Sequence, residues 1–246
     1  MAEQKNVIGG RNAVMEALRW DEQIEKVLLY KNATGEAIEE IRQLAKKKSV
    51  QIQYVPGEKL NSYTGIQHQG VVALKAAVVY HNLEEVLKNL SSERKALFLM
   101  LDGITDVRNI GAMARSAYCY GADAIIIPDK GVGSLNADAV KTSAGALQHL
   151  KVCRVNSLLK AIDSLHAAGI KVFASEMKAQ KKLAELPCNE SCCFIMGSEE
   201  RGIQNYLLKA ADEKFAIPMS ADFDSLNVSV AAGIILYECY KQRMED

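Results

Sequence analysis

The stretch Phe215–Tyr240, FAIPMSADFDSLNVSVAAGIILYECY, contains the pattern on which the rest of the chain is interpreted. FAIP has the composition of a strand, MSADFD is a short polar loop, and SLNVSVAAGIILYECY repeats small and apolar residues at helical spacing. Asp224 or Ser225 is predicted to cap this helix, so that the N–H groups of its first turn face the loop. Ser225, Asn227 and Ser229 are unusual in the first turns of a helix that packs on a core. The stretch is therefore either an ordinary capped helix or one side of a ligand site.

The bulk composition is that of an ordinary globular protein. The chain has 246 residues, of which 49% are hydrophobic and 24% charged, which is enough for one large domain or two modest ones. No run approaches the roughly 18 apolar residues of a membrane span, and the polar start MAEQKNVIGG has no signal-peptide core. We therefore expect a cytoplasmic protein with no membrane partner.

The cysteines indicate reduced thiols in a core. Six are present, mostly inside apolar segments, which does not suit a disulfide framework. Cys188, Cys192 and Cys193 form a cluster, but neither a second pair nor a nearby histidine completes four ligands. We therefore predict no metal.

The balance of acidic and basic residues shows no overall positive charge that would attract a nucleic acid. Lys plus Arg and Asp plus Glu both number 30, so the whole chain has no basic signature. Affinity for RNA would have to be local. The run Lys46–Lys48 is one local cluster, although lysines that end a helix also interact favourably with its C-terminus.

The chain divides by pattern into two α/β domains. Residues 1–80 alternate short helices and strands, ending in a long apolar strand near Tyr80. Residues 81–95 are polar and contain a Ser-Ser break, so we predict a linker there. Residues 96–246 contain five apolar runs separated by helical segments, namely ALFLML, AIIIP, IKVFAS, CCFIM and FAIP. Such runs are typical of a parallel sheet, whose ligands bind beyond the carboxyl ends of the strands.

Two further loops after strands carry residues that a scaffold does not need. After ALFLML, Asn109, Gly111 and Arg115 follow the pattern N-x-G-x-x-x-R at the start of a helix. Small and apolar neighbours suggest that Arg115 lies at a packed surface with a phosphate as partner, rather than as a solvated arginine. After CCFIM, the glycines of MGSEERG let the backbone pass close to a ligand.

The sequence lacks the motifs of several common enzyme classes. GVGSLN at 131–136 lacks the third glycine of a dinucleotide fingerprint, which disfavours a nucleotide-dependent oxidoreductase. No Walker loop or Ser-His-Asp arrangement occurs, and His149 and His166 suit structural roles. Group transfer from a carrier cofactor fits what remains.

Taken together, N-x-G-x-x-x-R, MGSEERG and IPM followed by SLNVSVA resemble, in order and spacing, the three motifs of the SpoU/TrmH family. Its members are S-adenosylmethionine-dependent RNA ribose 2′-O-methyltransferases. The resemblance covers about residues 96–243. IGGRNAVMEAL and HQGVVA resemble the substrate-binding domain of the RlmB-type subgroup, which methylates a guanosine in large-subunit ribosomal RNA.

The resemblance implies a SPOUT-type fold, a parallel-sheet α/β knot preceded by a small α/β RNA-binding domain, and a homodimer. It implies S-adenosyl-L-methionine as cofactor, contacted by Gly197, Ile217 and Leu226. The catalytic residues that it implies are Asn109, Arg115, Glu199, Ser225 and Asn227. Glu200 departs from the family pattern, because many relatives have glycine there.

The resemblance also frames a mechanism. Since a guanidinium stays protonated, we expect Arg115 to hold the adjacent phosphate and stabilise the developing alkoxide, while Glu199 or the phosphate takes the proton. RNA affinity would come from polar residues near the turns of the first domain, namely Arg11, Asn12, His68 and Gln69. The alternatives are a tRNA ribose 2′-O-methyltransferase and a non-catalytic RNA-binding protein of the same fold.

Overall fold

The computed structural model describes residues 7–20, 23–48, 50–63, 67–133, 135–220 and 225–245. The chain forms two compact units, residues 1–79 and 80–246, and each is described by itself. None of the helices in the described ranges combines the length and the apolar character needed to span a membrane.

The first unit is a four-stranded mixed sheet covered by helices. Its strands are β1 (Val7–Gly9), β2 (Ile24–Tyr30), β3 (Gln51–Val55) and β4 (Val71–Lys75), in the order β1-β4-β2-β3. Its helices are α1 (Arg11–Arg19), α2 (Glu36–Lys47) and α3 (Gly57–Asn61). β2 and β3 are parallel, whereas β4 is antiparallel to β1 and β2. Val14 of α1 and Ile38 of α2 join Val27 and Leu29 in one core, as helical and strand periodicity require.

The second unit is built on a seven-stranded sheet whose neighbouring strands are all parallel. The strands are β5 (Tyr80–His81), β6 (Leu97–Asp102), β7 (Ala124–Pro128), β8 (Lys151–Val155), β9 (Lys171–Ser175), β10 (Cys192–Gly197) and β11 (Glu213–Phe215). Their order is β11-β9-β10-β6-β7-β8-β5. The helices are α4 (Leu83–Lys88), α5 (Val107–Cys119), α6 (Ala137–Thr142), α7 (Leu158–Ala167), α8 (Asn205–Ala210) and α9 (Val228–Glu245).

The structure differs from the sequence-based boundaries around residue 80. The long apolar strand predicted to end near Tyr80 stops at Lys75, and Tyr80 instead pairs with Val152 in the second sheet. Residues 81–95, predicted from sequence to be a linker, contain the second residue of β5 and the whole of α4. Leu83 and Val86 of α4 are buried in the core of the second unit. The polar residues of α4 make the burial of Leu83 and Val86 difficult to predict from the sequence.

Two strands of the second sheet also differ from expectation. KVCRV forms β8, which the apolar-run criterion misses because Lys151 and Arg154 interrupt it. The final strand β11 begins and ends earlier than FAIP, at Glu213–Phe215. Short strands at or near a sheet edge do not need a continuous apolar run, since part of each is in contact with solvent.

The C-terminal helix is held against the centre of the second unit. α9 packs on α5 and β10. Near its end, Arg243 donates hydrogen bonds to four backbone carbonyls, those of Lys95, Ala96, Cys188 and Glu190. The helix is thus tied to the segments that lead into β6 and β10, a placement compatible with a threaded C-terminal segment.

Candidate active site

The site begins where β6 and β10 end side by side. Asp102 and Gly197, the last residues of these strands, are directly paired in register. The loop after β6 leads to Asp106, whose carboxylate accepts a hydrogen bond from the Arg108 N–H (2.8 Å) and so caps α5. Asn109 therefore lies in the first turn of α5, facing the loop after β10.

The loop after β10 is a tight turn that depends on glycine at both ends. The Gly202 N–H donates to the Ser198 carbonyl (2.8 Å), and the Arg201 N–H donates to the Ser198 hydroxyl (3.2 Å). A Cβ on Gly197 would lie 2.2 Å from the Gly202 carbonyl carbon. Gly202 has a φ of +64°, which glycine adopts without strain. The turn presents Glu199 at its tip.

A buried carboxylate fastens the far end of this turn. Asp102 is 2% exposed and accepts hydrogen bonds from the backbone N–H (2.8 Å) and the side-chain Nε2 (2.7 Å) of Gln204. Sequence reasoning did not select either residue. The available signal was a carboxylate that ends a wholly apolar strand, where an unpaired charge is costly.

Three predicted site residues meet in one hydrogen-bond network. The Asn227 Nδ2 donates to Glu199 Oε1 (2.7 Å) and to Asn109 Oδ1 (3.1 Å). The Asn109 Nδ2 and the Val228 N–H lie 3.4 Å from the same Glu199 oxygen. Loops from β6, β10 and β11 are thereby joined through side chains.

The cap of α9 is Asn227, which corrects the sequence-based assignment to Asp224 or Ser225. Asn227 Oδ1 accepts hydrogen bonds from the N–H groups of Ser229 (3.0 Å) and Val230 (3.4 Å), and from the Ser229 hydroxyl (2.6 Å). Asp224 lies outside the described residues. Ser229 thus helps to hold the Asn227 side chain in place. The Asn227 Oδ1 accepts hydrogen bonds from the helix, and its Nδ2 donates to the network.

Two cavities have Glu199 in their lining. One, of about 620 Å³, is lined by Asp102, Thr105 and Asn109. The other, of about 460 Å³, is lined by Gly197, Ser225 and Leu226 together with Met177 and Ile203. A pocket of about 90 Å³ adjoins it and adds Ile217. The three residues predicted to contact cofactor therefore border either this cavity or the pocket that shares lining residues with it.

Of the predicted catalytic residues, Ser225 and Arg115 make no hydrogen bond in the network, and Arg115 lies on a different side of α5 from Asn109. Arg115 is six residues after Asn109, which on an α-helix corresponds to a rotation of about 240° about the helix axis and a rise of about 9 Å along it. Its side chain is exposed, and within the described residues it has no hydrogen-bond or ion-pair partner. The expectation of a packed surface around Arg115 is therefore wrong, because its small neighbours face the core on the other side of α5.

The polar residues predicted near the turns of the first unit have partly structural roles. The Arg11 N–H donates to Gln69 Oε1 (3.1 Å), and the Arg11 Nε donates to the Gln69 carbonyl (3.2 Å). These contacts fix the start of α1 to the turn before β4. Asn12 is exposed.

Most of the cysteines are core side chains. Among the described residues, no group of three or more His, Cys, Asp or Glu side chains could hold a metal ion. Five cysteines are buried, and burial raises the pKa of the Cys153 thiol to about 12. Cys153 is therefore a core side chain rather than a reactive one.

Comparison with known proteins identifies the architecture. Residues 96–237 match the SpoU rRNA Methylase family, and residues 7–80 match a domain described as RNA 2′-O ribose methyltransferase substrate binding. The chain belongs to the SpoU methylase family. It is accordingly an RNA methyltransferase, with a parallel-sheet α/β domain preceded by a substrate-binding domain.

Individual relatives agree with this assignment to the SpoU family. YacO of Bacillus subtilis is 34% identical over 244 residues, which are 99% of this chain and 98% of YacO. A Staphylococcus epidermidis protein is 36% identical over 238 residues, 96% of each chain. Both are named for the TrmH family of tRNA/rRNA methyltransferases. The SpoU methyltransferase AviRb of Streptomyces viridochromogenes, solved with AdoMet, has a TM-score of 0.63 at 21% identity and covers 98% of this chain and 91% of its own.

Proposed function

We propose that this SpoU methylase transfers a methyl group from S-adenosylmethionine to a ribose 2′-hydroxyl of ribosomal RNA, at a guanosine. The observation that carries the proposal is the Asn109–Glu199–Asn227 network, whose carboxylate lines two cavities at the carboxyl ends of β6 and β10. One cavity would take the cofactor and the other the ribose, with Glu199 lining both. Transfer RNA is the alternative substrate, since the relatives are named for both RNAs.

The cavity beside Leu226 suits the cofactor. Its volume of about 460 Å³ lies within the range of roughly 300–1,000 Å³ that is usual for ligand sites. Met177, Ile203 and Leu226 offer apolar surface for an adenosine, and Glu199 offers a negative charge toward a sulfonium. Gly197 and Ile217 border the same space, where backbone groups would hold the ligand. S-adenosylmethionine, when bound, supplies a methyl group on positively charged sulfur.

The reaction requires alignment more than chemical activation. The 2′-oxygen forms a bond to the methyl carbon while the carbon–sulfur bond breaks, which leaves a neutral thioether. The hydroxyl proton passes to Glu199 or to a substrate phosphate oxygen. Asn227 fixes Glu199 by donating to the oxygen Oε1, so that the second carboxylate oxygen is left for the ribose hydroxyl. Ser225 borders the cofactor cavity, where its hydroxyl would help to orient the methyl donor.

Arg115 is proposed to bind RNA rather than to remove a proton. Its guanidinium is exposed and has no partner within the described chain, whereas a phosphate accepts two parallel hydrogen bonds from such a group. RNA that spans from the cleft to α5 would bring a phosphate to it. The curated relatives are from Bacillus subtilis and Staphylococcus epidermidis, bacteria in which RNA is made in the cytoplasm, so we expect the protein to act there.

A homodimer is proposed through the outer face of α9. Five large apolar side chains on this helix are exposed by 37% to 69%, namely Val230, Ile234, Tyr237, Tyr240 and Met244. Their spacing places them on one side of the helix. A second copy would remove this surface from water.

The deciding experiment is methyl transfer with labelled S-adenosylmethionine. The protein is incubated separately with ribosomal RNA and with transfer RNA, and each product is digested to nucleosides. We expect a labelled 2′-O-methylguanosine from ribosomal RNA alone. Label in transfer RNA only would support the alternative substrate, and label on a base would refute ribose methylation.

The rival function is an RNA-binding protein that has lost catalysis. It predicts RNA binding without affinity for S-adenosylmethionine and without label transfer. The joined Asn109, Glu199 and Asn227 favour an active enzyme, because a protein that only binds RNA does not need a carboxylate fixed in the lining of two cavities.

A further inference from the structure

The first unit contains an open cavity of about 580 Å³ that no part of the proposed methyl transfer uses. It lies between the end of β2, the helix α3 and the turn that leads into β4. Tyr30, Glu58, Asn61 and His68 line it, and each comes from one of these three elements. A cavity with an aromatic ring and unpaired polar groups fits a planar ligand with hydrogen-bonding edges.

The Tyr30 ring is available for stacking. Its side chain is 37% exposed, although its backbone N–H is fixed by a 2.9 Å hydrogen bond to the Gly70 carbonyl. Gly57 leaves an edge of the ring uncovered, since a Cβ there would lie 3.7 Å from Tyr30 Cε2. A ring held by a strand and exposed beside a glycine is a platform for an unpaired base.

His68 fixes the orientation of the Asn61 amide. The Gly70 N–H donates to His68 Nδ1 (3.0 Å), so this nitrogen carries no proton and Nε2 does. His68 Nε2 therefore donates to Asn61 Oδ1 (2.9 Å). The Asn61 Nδ2 is left with two N–H donors that have no partner within the described residues. Asn61 thus presents donors only.

Glu58 supplies the matching acceptor. It lies three residues before Asn61 on α3, and residues at this spacing are neighbours on one side of a helix. Its carboxylate is exposed and has no side-chain partner in the described part of the chain. One helix face therefore presents two acceptor oxygens beside a pair of donors.

We propose that this cavity binds an unpaired guanine of the substrate RNA. This proposal rests on the proposed function only in taking RNA as the substrate. Guanine offers two adjacent donors, N1–H and N2–H₂, to the Glu58 carboxylate and an acceptor, O6, to Asn61 Nδ2. Adenine, cytosine and uracil each offer the carboxylate a single donor nitrogen at that edge, whereas guanine offers two. The base stacks on Tyr30, and Lys31 at the rim is placed to meet a phosphate.

Binding of short RNAs to the full-length protein tests the proposal. The probes are fluorescein-labelled decauridylates that carry one central guanosine, inosine or adenosine, and the readout is fluorescence anisotropy. Inosine lacks only the N2 amino group, so we expect its Kd to be about tenfold higher than that of guanosine, the loss of one charge-assisted hydrogen bond. Glu58→Gln should abolish this difference, and Tyr30→Ala should weaken all three probes.

Matched variants serve as controls. Tyr54 is an exposed tyrosine of the same unit outside the cavity, and Glu36 is an exposed glutamate of α2. Tyr54→Ala and Glu36→Gln should leave the guanosine preference unchanged. Equal affinity of the wild type for guanosine and inosine, or a preference that persists in Glu58→Gln, would overturn the guanine site.

A separate methyl-transfer assay tests the proposed function. Methyl transfer to ribosomal RNA is measured for the wild type in parallel with anisotropy. If label is transferred while guanosine and inosine bind equally, the guanine site is refuted and the function stands. If guanosine is preferred without any label transfer, the guanine site is supported and the function is refuted.

Discussion

At the scale of single residues, Asn227 links the stability of a helix to the arrangement of the site. Its Oδ1 accepts hydrogen bonds at the start of α9, while its Nδ2 donates to Glu199 and Asn109. The two ends of one amide therefore serve different purposes. Substitutions that keep one end and remove the other can separate them.

Replacement of Asn227 by serine should separate helix capping from the positioning of Glu199. Serine is a good helix cap, so we expect the free energy of unfolding to change by less than about 0.5 kcal/mol. The donors to Glu199 and Asn109 are lost, and misplacement of Glu199 should lower kcat about 100-fold. Chemical denaturation and single-turnover methyl transfer measure the two effects, with Asn82→Ser, at the N-cap of α4, as the matched control. A fully active Asn227→Ser enzyme would contradict a positioning role for the amide.

Arg115 offers the second test at this scale. Because the side chain is exposed and unpaired within the described chain, Arg115→Lys should leave unfolding unchanged within about 0.5 kcal/mol. A lysine cannot form the bidentate contact with a phosphate, so we expect methyl transfer to fall about 100-fold with cofactor affinity intact. Arg108→Lys, an exposed arginine on the same helix, is the control. Full activity of Arg115→Lys at pH 7 would refute the phosphate clamp.

At the scale of elements, the turn between β10 and α8 determines where Glu199 lies. Gly197 and Gly202 close the turn, and Asp102 anchors its far side through Gln204. These contacts join the turn to β6. The carboxyl ends of two neighbouring strands thereby hold one rigid wall of the site.

Gly197→Ala should disrupt this turn. Its Cβ would meet backbone atoms of Gly202 and Ile203 at 2.2–2.3 Å, so we expect destabilisation of about 1–3 kcal/mol and loss of cofactor binding. Gly233→Ala is the matched control, since the nearest atom to its Cβ would be Ser116 Oγ at 3.7 Å. Alanine inside α9 should stabilise by about 0.5–1 kcal/mol. Denaturant titration compares the two, and an unperturbed Gly197→Ala protein would refute the tight closure.

At the scale of the whole molecule, the boundary between the units decides which fragments fold. The second unit includes β5 and α4, whose Leu83 and Val86 are buried in its core. A domain cut placed after these elements would remove part of that core. The position of the cut is therefore a test of the architecture.

Two truncations distinguish the boundaries. Removal of residues 1–79 should leave a folded unit that binds S-adenosylmethionine but has lost most RNA affinity. Removal of residues 1–88 also deletes Leu83 and Val86, which should cost roughly 3–6 kcal/mol of stability, about 1.5–3 kcal/mol for each buried side chain. Thermal unfolding and filter binding measure both. Unchanged RNA affinity of the shorter truncation would refute an RNA-binding role for the first unit.

The homodimer is the other property of the whole molecule. Sedimentation velocity should show a species of twice the chain mass, because the exposed apolar side of α9 would be covered by a second copy. Ile234→Glu and Tyr237→Glu should yield monomers. Leu159→Glu, at an exposed apolar position on α7, should leave the dimer intact. A monomeric wild-type protein at micromolar concentration would refute the dimer.

Much of the architecture could be predicted from sequence because continuous apolar runs and helical periodicity record burial directly. β6 and β10 were found this way, and both are fully buried along nearly their whole length. β8 and α4 were missed because charged residues mask their buried positions. The approximate placement of the site followed from the rule that loops after parallel strands carry the ligands.

The sequence by itself determined the two-unit α/β architecture and the family, and it supplied the candidate site residues, because these depend on local patterns and on motif order. Only the tertiary structure decided that Asn227 caps α9, that Asp102 holds Gln204 and that Arg115 stands apart from Asn109. Such facts depend on partners far apart in the chain: Asn227 and Asn109 are 118 positions apart. The opening stretch, Phe215–Tyr240, contains the right polar residues, but their hydrogen bonds are set by the register of neighbouring strands.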